Sequence, residues 1–197
     1  LRRDISHMRQ NRNKKKNGTL SHQYFFAAWK SRTLLDTGGE RPSRLTALVA
    51  SELRRYNIDI AALSETRLPD EGSLTERDQG YTFFWKGLPS GSPRIHGVGF
   101  AIRNSLLHLL PETPVGINER LMSLRIPLAK GRYLTILSVY APTLVSDEPI
   151  KDCFYDVLYK TFQAVPRHDK LMIIGDFNAR VGSDYTTWGG VIGKHGV

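Results

Sequence analysis

Apolar and polar positions alternate in two distinct periods along this chain. From Tyr24 to Trp29 an apolar and aromatic run predicts a first strand. Ser43 is placed to cap a helix whose Leu45, Leu48, Val49, Leu53 and Tyr56 are spaced for one apolar face. Ile58 to Leu63 is a short apolar run, expected as a buried strand that delivers Ser64, Glu65 and Thr66 at its end. Thr37-Gly38-Gly39 and the polar residues 69–80 read as loops. Tyr81–Trp85 and Val98–Ile102 predict two strands around the Gly/Ser/Pro turn 87–97. Leu121–Ile126 and Tyr133–Tyr140 predict another pair, joined at Lys130-Gly131, and Ala141-Pro142 ends that ladder. Ile150–Phe162 has helical spacing, with Phe154, Val157, Leu158 and Phe162 inward. Leu171–Ile174 is a four-residue apolar strand leading into Gly175-Asp176-Phe177-Asn178, after which the chain turns glycine-rich and polar. The order predicts a mixed α/β protein with helices packed outside sheets, and polar residues at two strand ends.

Composition narrows the classes. In 197 residues, 40% are hydrophobic, enough for a real core. The single Cys153 excludes a disulfide framework and a cysteine zinc site, as suits a reducing compartment; on its helix it reads as a small apolar residue without a histidine to activate it. No apolar run reaches the roughly 20 residues of a membrane span, so no membrane is expected. The formal charge of +9 is uneven: Arg2, Arg3, Arg9, Arg12, Lys14, Lys15 and Lys16 stand against Asp4 alone in residues 1–16. Residues 1–19 therefore read as a basic disordered tail, and residues 20–197 as one domain. Such a tail binds nucleic acid, serves as a nuclear address, or is simply solvated chain.

The chemistry lies at the strand ends. A hard cation takes one or two carboxylates with water and substrate phosphate, and Glu65, after a buried strand, suits that role. Asp176 and Asn178 stand two residues apart, so an extended chain turns both to one side. A carboxylate there orients or deprotonates an attacking water, an amide holds a phosphate oxygen without adding charge, and Tyr140 offers a hydroxyl to the same phosphate. Singly, each has a plainer explanation in a turn or on a surface. Trp85 and Trp188 either stack on bases or fill space, the buried role being the commoner for Trp85.

Leu63-Ser64-Glu65-Thr66-Arg67, Ser138-Val139-Tyr140-Ala141-Pro142 and Ile174-Gly175-Asp176-Phe177-Asn178-Ala179 resemble three ordered motifs of the endonuclease/exonuclease/phosphatase superfamily. The likeness runs over about residues 24–197 and is nearest to the endonuclease domains of RTE/Bov-B-type non-LTR retrotransposons and to craniofacial development protein 2-like proteins. It implies a four-layer α/β sandwich, two β-sheets flanked by helices and incomplete at the C-terminus. It also implies a DNA endonuclease dependent on Mg2+, with Mn2+ the alternative ion and no small-molecule cofactor. By the same resemblance Glu65 matches the metal-ligand glutamate, Tyr140 the tyrosine near the scissile phosphate, Asp176 the aspartate that positions water and Asn178 the asparagine contacting the transition state. Arg67 supports the site. DNA is the expected partner, the nucleus the expected location before the cytoplasm, and a partner protein is expected over an exposed sheet edge.

Two departures stand out. The family pattern carries Trp-Asn before Arg-Thr-Leu-Leu, whereas here Trp29 is followed by Lys30 and then Ser31-Arg32-Thr33-Leu34-Leu35. A lysine beside a divalent ion either repels it or partly substitutes for its charge; repulsion, and so weakened metal binding, is the expectation. The family's late Ser-Asp-His motif also lacks a counterpart. His7, His22, His96, His108, His168 and His195 all read as surface or structural residues, and Ser183-Asp184-Tyr185 follows Asp176 too closely. Activity is therefore expected to be much reduced or absent. The alternatives are a non-catalytic nucleic-acid- or protein-binding module and, fitting the motifs less well, a phosphatase.

Overall fold

A computed structural model describes residues 23–35, 44–179, 182 and 184–190. The basic tail, the Thr37-Gly38-Gly39 turn, Ser43, Ser183, His7, His22 and His195 lie outside the described residues. A five-stranded sheet runs in the order β1-β2-β5-β4-β3, from β1 (Phe26–Lys30), β2 (Ile60–Ser64), β3 (Glu71–Glu76), β4 (Tyr81–Lys86) and β5 (Val98–Arg103). A four-stranded sheet runs β6-β7-β8-β9, from β6 (Val115–Asn118), β7 (Leu121–Pro127), β8 (Tyr133–Tyr140) and β9 (Lys170–Asp176). β1 pairs parallel with β2 and β9 parallel with β8; the other pairings are antiparallel.

Three apolar seams make the layers. Ile60, Ala62, Val98, Phe100 and Ile102 of the first sheet meet Met122, Leu124, Ile126, Leu134 and Ile136 of the second. The opposite faces of β2, β4 and β5, through Ala61, Leu63, Phe83 and Ala101, pack on Ala50 and Leu53 of α1 (Leu45–Arg55). Leu137 and Val139 of β8 pack on Phe154 of α2 (Glu148–Ala164). The result is the expected four-layer α/β sandwich. Strands buried on both faces explain why β2 and β8 read as predominantly apolar runs without a strict alternation.

Several expectations need correcting. Residues 69–80 are not all loop, because β3 forms there as the outermost strand of its sheet. Its polar side chains suit that edge, where Thr75 and Thr82 bond across the pair at 2.9 Å and Lys86 reaches Glu71 at 3.2 Å. The first strand begins two residues later than predicted and ends at Lys30. β6 and a 3₁₀ turn over Asn104–Leu109 were not foreseen; both lack a clear alternation. In α1 the inward positions are Thr46, Ala50 and Leu53, so Leu48 and Tyr56 face solvent. Thr46 tolerates burial because its hydroxyl donates to Glu76 Oε1 at 2.6 Å. In α2, Phe162 turns outward and stacks with Tyr159, while Phe154, Val157 and Leu158 pack inward as expected. Cys153 is exposed rather than packed.

Candidate active site

Strand parity brings the polar residues together. Phe26 of β1, Ile136 of β8 and Met172 and Ile174 of β9 belong to the seam between the sheets. Counting by twos along each strand places Lys30, Tyr140 and Asp176 on that same face, at the strands' C-terminal ends. Lys30 lies beside Ser64 in the β1–β2 register, and Asp176 lies beside Tyr140 in the β8–β9 register. Glu65 follows β2 directly. The predicted Glu65, Tyr140, Asp176 and Asn178 thus gather at the rim where the seam between the two sheets meets solvent.

Tyr140 Oη donates to Glu65 Oε1 at 2.8 Å, across the seam. Lys30 Nζ lies 3.1 Å from the same Glu65 oxygen and 3.0 Å from Asp176 Oδ2. Asp176 Oδ1 accepts the Asn178 backbone N–H at 2.9 Å, and Asn178 Nδ2 donates to the Ala141 carbonyl at 2.6 Å. Asn178 keeps one further amide hydrogen for a ligand. Arg67 is exposed beside Glu65, and its charge helps hold that carboxylate ionised.

The backbone is held in unusual conformations here. Glu65, Arg67 and Asn178 have φ of 55°, 56° and 48°, a left-handed region that costs a non-glycine residue roughly 1–2 kcal/mol. Gly175 sits at φ 145°, and a Cβ there would stand 2.1 Å from the Val139 carbonyl oxygen. Glycine is needed at that point so that β9 approaches β8 closely enough to set Asp176 beside Tyr140.

Electrostatics follow from the contacts. Burial pushes the Glu65 carboxyl up, but the Tyr140 hydroxyl and the Lys30 ammonium outweigh it and hold it below its ordinary value. Burial, then the bond to Glu65, raises the Tyr140 hydroxyl. Hydrogen bonds to Asp176 and then to Glu65 raise Lys30, which stays charged. Arg120, which no motif flags, and His96, read from the sequence as a surface or structural residue, complete the wall. Arg120 Nη1 donates to the Tyr140 carbonyl at 3.2 Å, and Nη2 lies 2.9 Å from His96 Nε2. Burial and the Arg120 charge hold His96 below its ordinary value, so it is neutral near pH 7. The guanidinium has no lone pair and must donate, so His96 Nε2 is the acceptor and its lone pair is taken. His96 therefore buttresses Tyr140, with ring centroids 6.0 Å apart, and is not placed as the missing base. No sequence signal marks it, since it lies in a Gly/Pro-rich turn brought in by Gly97 and Arg120 contacts. His108 and His168 are exposed. Trp85 Nε1 donates to the Pro69 carbonyl at 3.0 Å in a part-buried position, and Trp188 is exposed.

The residues present do not fit a divalent ion at this point. The two carboxylate oxygens that face each other are already bridged by an ammonium. Among the described residues no group of three or more His, Cys, Asp or Glu is placed to hold a metal.

The sequence pattern of the endonuclease/exonuclease/phosphatase family matches residues 35–196, and the chain belongs to that family. Members generally depend on a divalent metal. The chain is similar to craniofacial development protein 2 of Bos taurus, 30% identical over 178 residues that are 89% of this chain and 27% of that protein. The same protein of Tragulus javanicus matches at 30% over 89% of this chain and 28% of its own length. The chain thus spans about a quarter of the curated relatives it matches. Among solved structures, the Xenopus laevis APE2 catalytic domain aligns with a TM-score of 0.50 and 18% identity, over 67% of this chain and 54% of that one. An endonuclease/exonuclease/phosphatase from Beutenbergia cavernae aligns with a TM-score of 0.50 and 13% identity, over 82% and 48%. These likenesses carry the fold.

Proposed function

We propose that the inter-sheet cleft receives a DNA phosphodiester and that the domain is of retrotransposon endonuclease descent, its Mg2+-dependent cleavage much reduced in this chain. The observation that carries this reading is the convergence of Glu65, Tyr140, Asp176 and Asn178 at one rim of the inter-sheet seam from three strand ends. Asn178 keeps one amide hydrogen for a phosphate oxygen, the Tyr140 hydroxyl orients Glu65, and Asp176 is the carboxylate proposed to orient a water. Reduced turnover follows from the same geometry. Both Asp176 oxygens are engaged, by Lys30 and by the Asn178 N–H, and the described histidines offer no base at the cleft.

A plasmid-nicking assay in Mg2+, beside Asp176→Ala, tests the reading. Slow nicking that disappears with Asp176→Ala supports it. Nicking that survives the substitution overturns it. Absence of nicking, with retained DNA binding, moves the protein to the second reading, a non-catalytic nucleic-acid-binding module, which the Lys30 bridge favours. The basic tail is read as a phosphate-binding arm and nuclear address. Deleting residues 1–19 then flattens the salt dependence of DNA binding and disperses a fluorescent fusion from the nucleus. An unchanged slope or unchanged distribution contradicts the respective role.

A further inference from the structure

Lys30 reaches from one sheet to the carboxylates of both. It closes β1, an outer strand of the five-stranded sheet, and β1 touches β9, the outer strand of the other sheet. Its Nζ stands 3.1 Å from Glu65 Oε1 and 3.0 Å from Asp176 Oδ2, so one ammonium is shared by one carboxylate from each sheet. Its side chain is 45% exposed, whereas those of Glu65 and Asp176 are 13% and 23% exposed. Lys30 is thus the most exposed of the three side chains that meet here.

A divalent cation would need the same two oxygens at a shorter distance, about 2.1 Å for Mg2+. Ammonium and dication cannot share them without close like-charge contact. We propose that Lys30 is a tethered cation that takes the place of a divalent ion between Glu65 and Asp176, so that the cleft binds a phosphate ester without metal and admits metal when the ammonium is removed. A phosphodiester otherwise faces two carboxylates. With Lys30 between them and Arg67 beside Glu65, the two carboxylate charges are balanced, and Lys30 and Asn178 each keep a hydrogen free to donate. The inference concerns the cleft of the proposed function but does not depend on turnover.

Mn2+ binding followed by the electron paramagnetic resonance signal of free Mn2+ tests it, on the full chain. Lys30→Asn is expected to take up one Mn2+ per chain at least tenfold more tightly than wild type. Lys30→Arg, which keeps the charge, and Lys30→Asn combined with Asp176→Ala are expected to match wild type. A residue acting merely as a clasp between sheets would change thermal stability without creating this uptake. Should Lys30→Asn unfold, Lys30→Gln carries the same expectation. Wild-type uptake as tight as that of the neutral variant, or uptake that survives loss of Asp176, overturns the proposal. Nicking results do not bear on this outcome, so failure here and failure of the cleavage reading are told apart.

Discussion

Gly175→Ala tests how Asp176 is delivered. The new Cβ would lie 2.1 Å from the Val139 oxygen and 2.9 Å from its nitrogen, both backbone atoms that cannot rotate away. An ordinary contact begins near 3.4 Å, so β9 must retreat from β8 by more than 1 Å at the register step before Tyr140–Asp176. Backbone strain at φ 145° contributes roughly 1–3 kcal/mol. Loss of one or two ladder hydrogen bonds adds about 1 kcal/mol each. The sum is a destabilisation of about 2–5 kcal/mol, read as a fall in the urea midpoint at constant m-value. Gly80→Ala is the control: its φ is 76° with nothing within 4 Å of a new Cβ, so it isolates conformational strain, about 1 kcal/mol. If Gly175→Ala costs no more than Gly80→Ala, the close approach of β9 to β8 is not what the glycine serves.

Phe154→Ala removes the buried anchor of α2 against β8 and is expected to cost about 3–5 kcal/mol in chemical denaturation; a loss below about 1 kcal/mol would mean that α2 is not seated there. Asp169 is held below its ordinary value by Arg125, which bonds it at 2.7 and 3.0 Å, against an opposing effect of burial, and by Thr135 at 2.8 Å. Its folded value being the lower one, its stabilisation is complete well above the unfolded value near 3.9 and is lost as pH falls through the folded value. Wild type should therefore lose more stability than Asp169→Asn between pH 6 and pH 3, and parallel acid profiles would contradict the pairing. Tyr81→Phe deletes a hydroxyl donated to the Ile58 carbonyl, and about 1 kcal/mol of lost stability is expected, measured by thermal unfolding; a neutral result would deny that bond a role.

Much of this architecture is legible in the sequence because both sheets are buried on two faces. Predominantly apolar runs such as Ile60–Ser64 and Tyr133–Tyr140 announce themselves, and parity along them then fixes which polar residue ends on which face. What escapes is structure held by partners distant in sequence. β3 is polar because it is an edge, Thr46 is buried because Glu76 answers it, and Phe162 is exposed because α2 covers its sheet with a narrower face than its composition suggests. The site divides in the same way. Glu65, Tyr140, Asp176 and Asn178 follow from motifs at strand ends, whereas Arg120 and His96 join through a bond between residues 24 positions apart that no local pattern marks. Lys30 could be read as an intruding charge, but its place between two carboxylates emerges once both sheets are closed.

The central claim is that this cleft is a phosphodiester-cleaving site whose turnover Lys30 suppresses. Plasmid nicking in Mg2+ by Lys30→Asn, with and without Asp176→Ala in the same chain, addresses it directly. Nicking at least tenfold faster than wild type, abolished when Asp176 is also replaced, is the predicted result. A rate equal to wild type, or nicking that persists without Asp176, would contradict it.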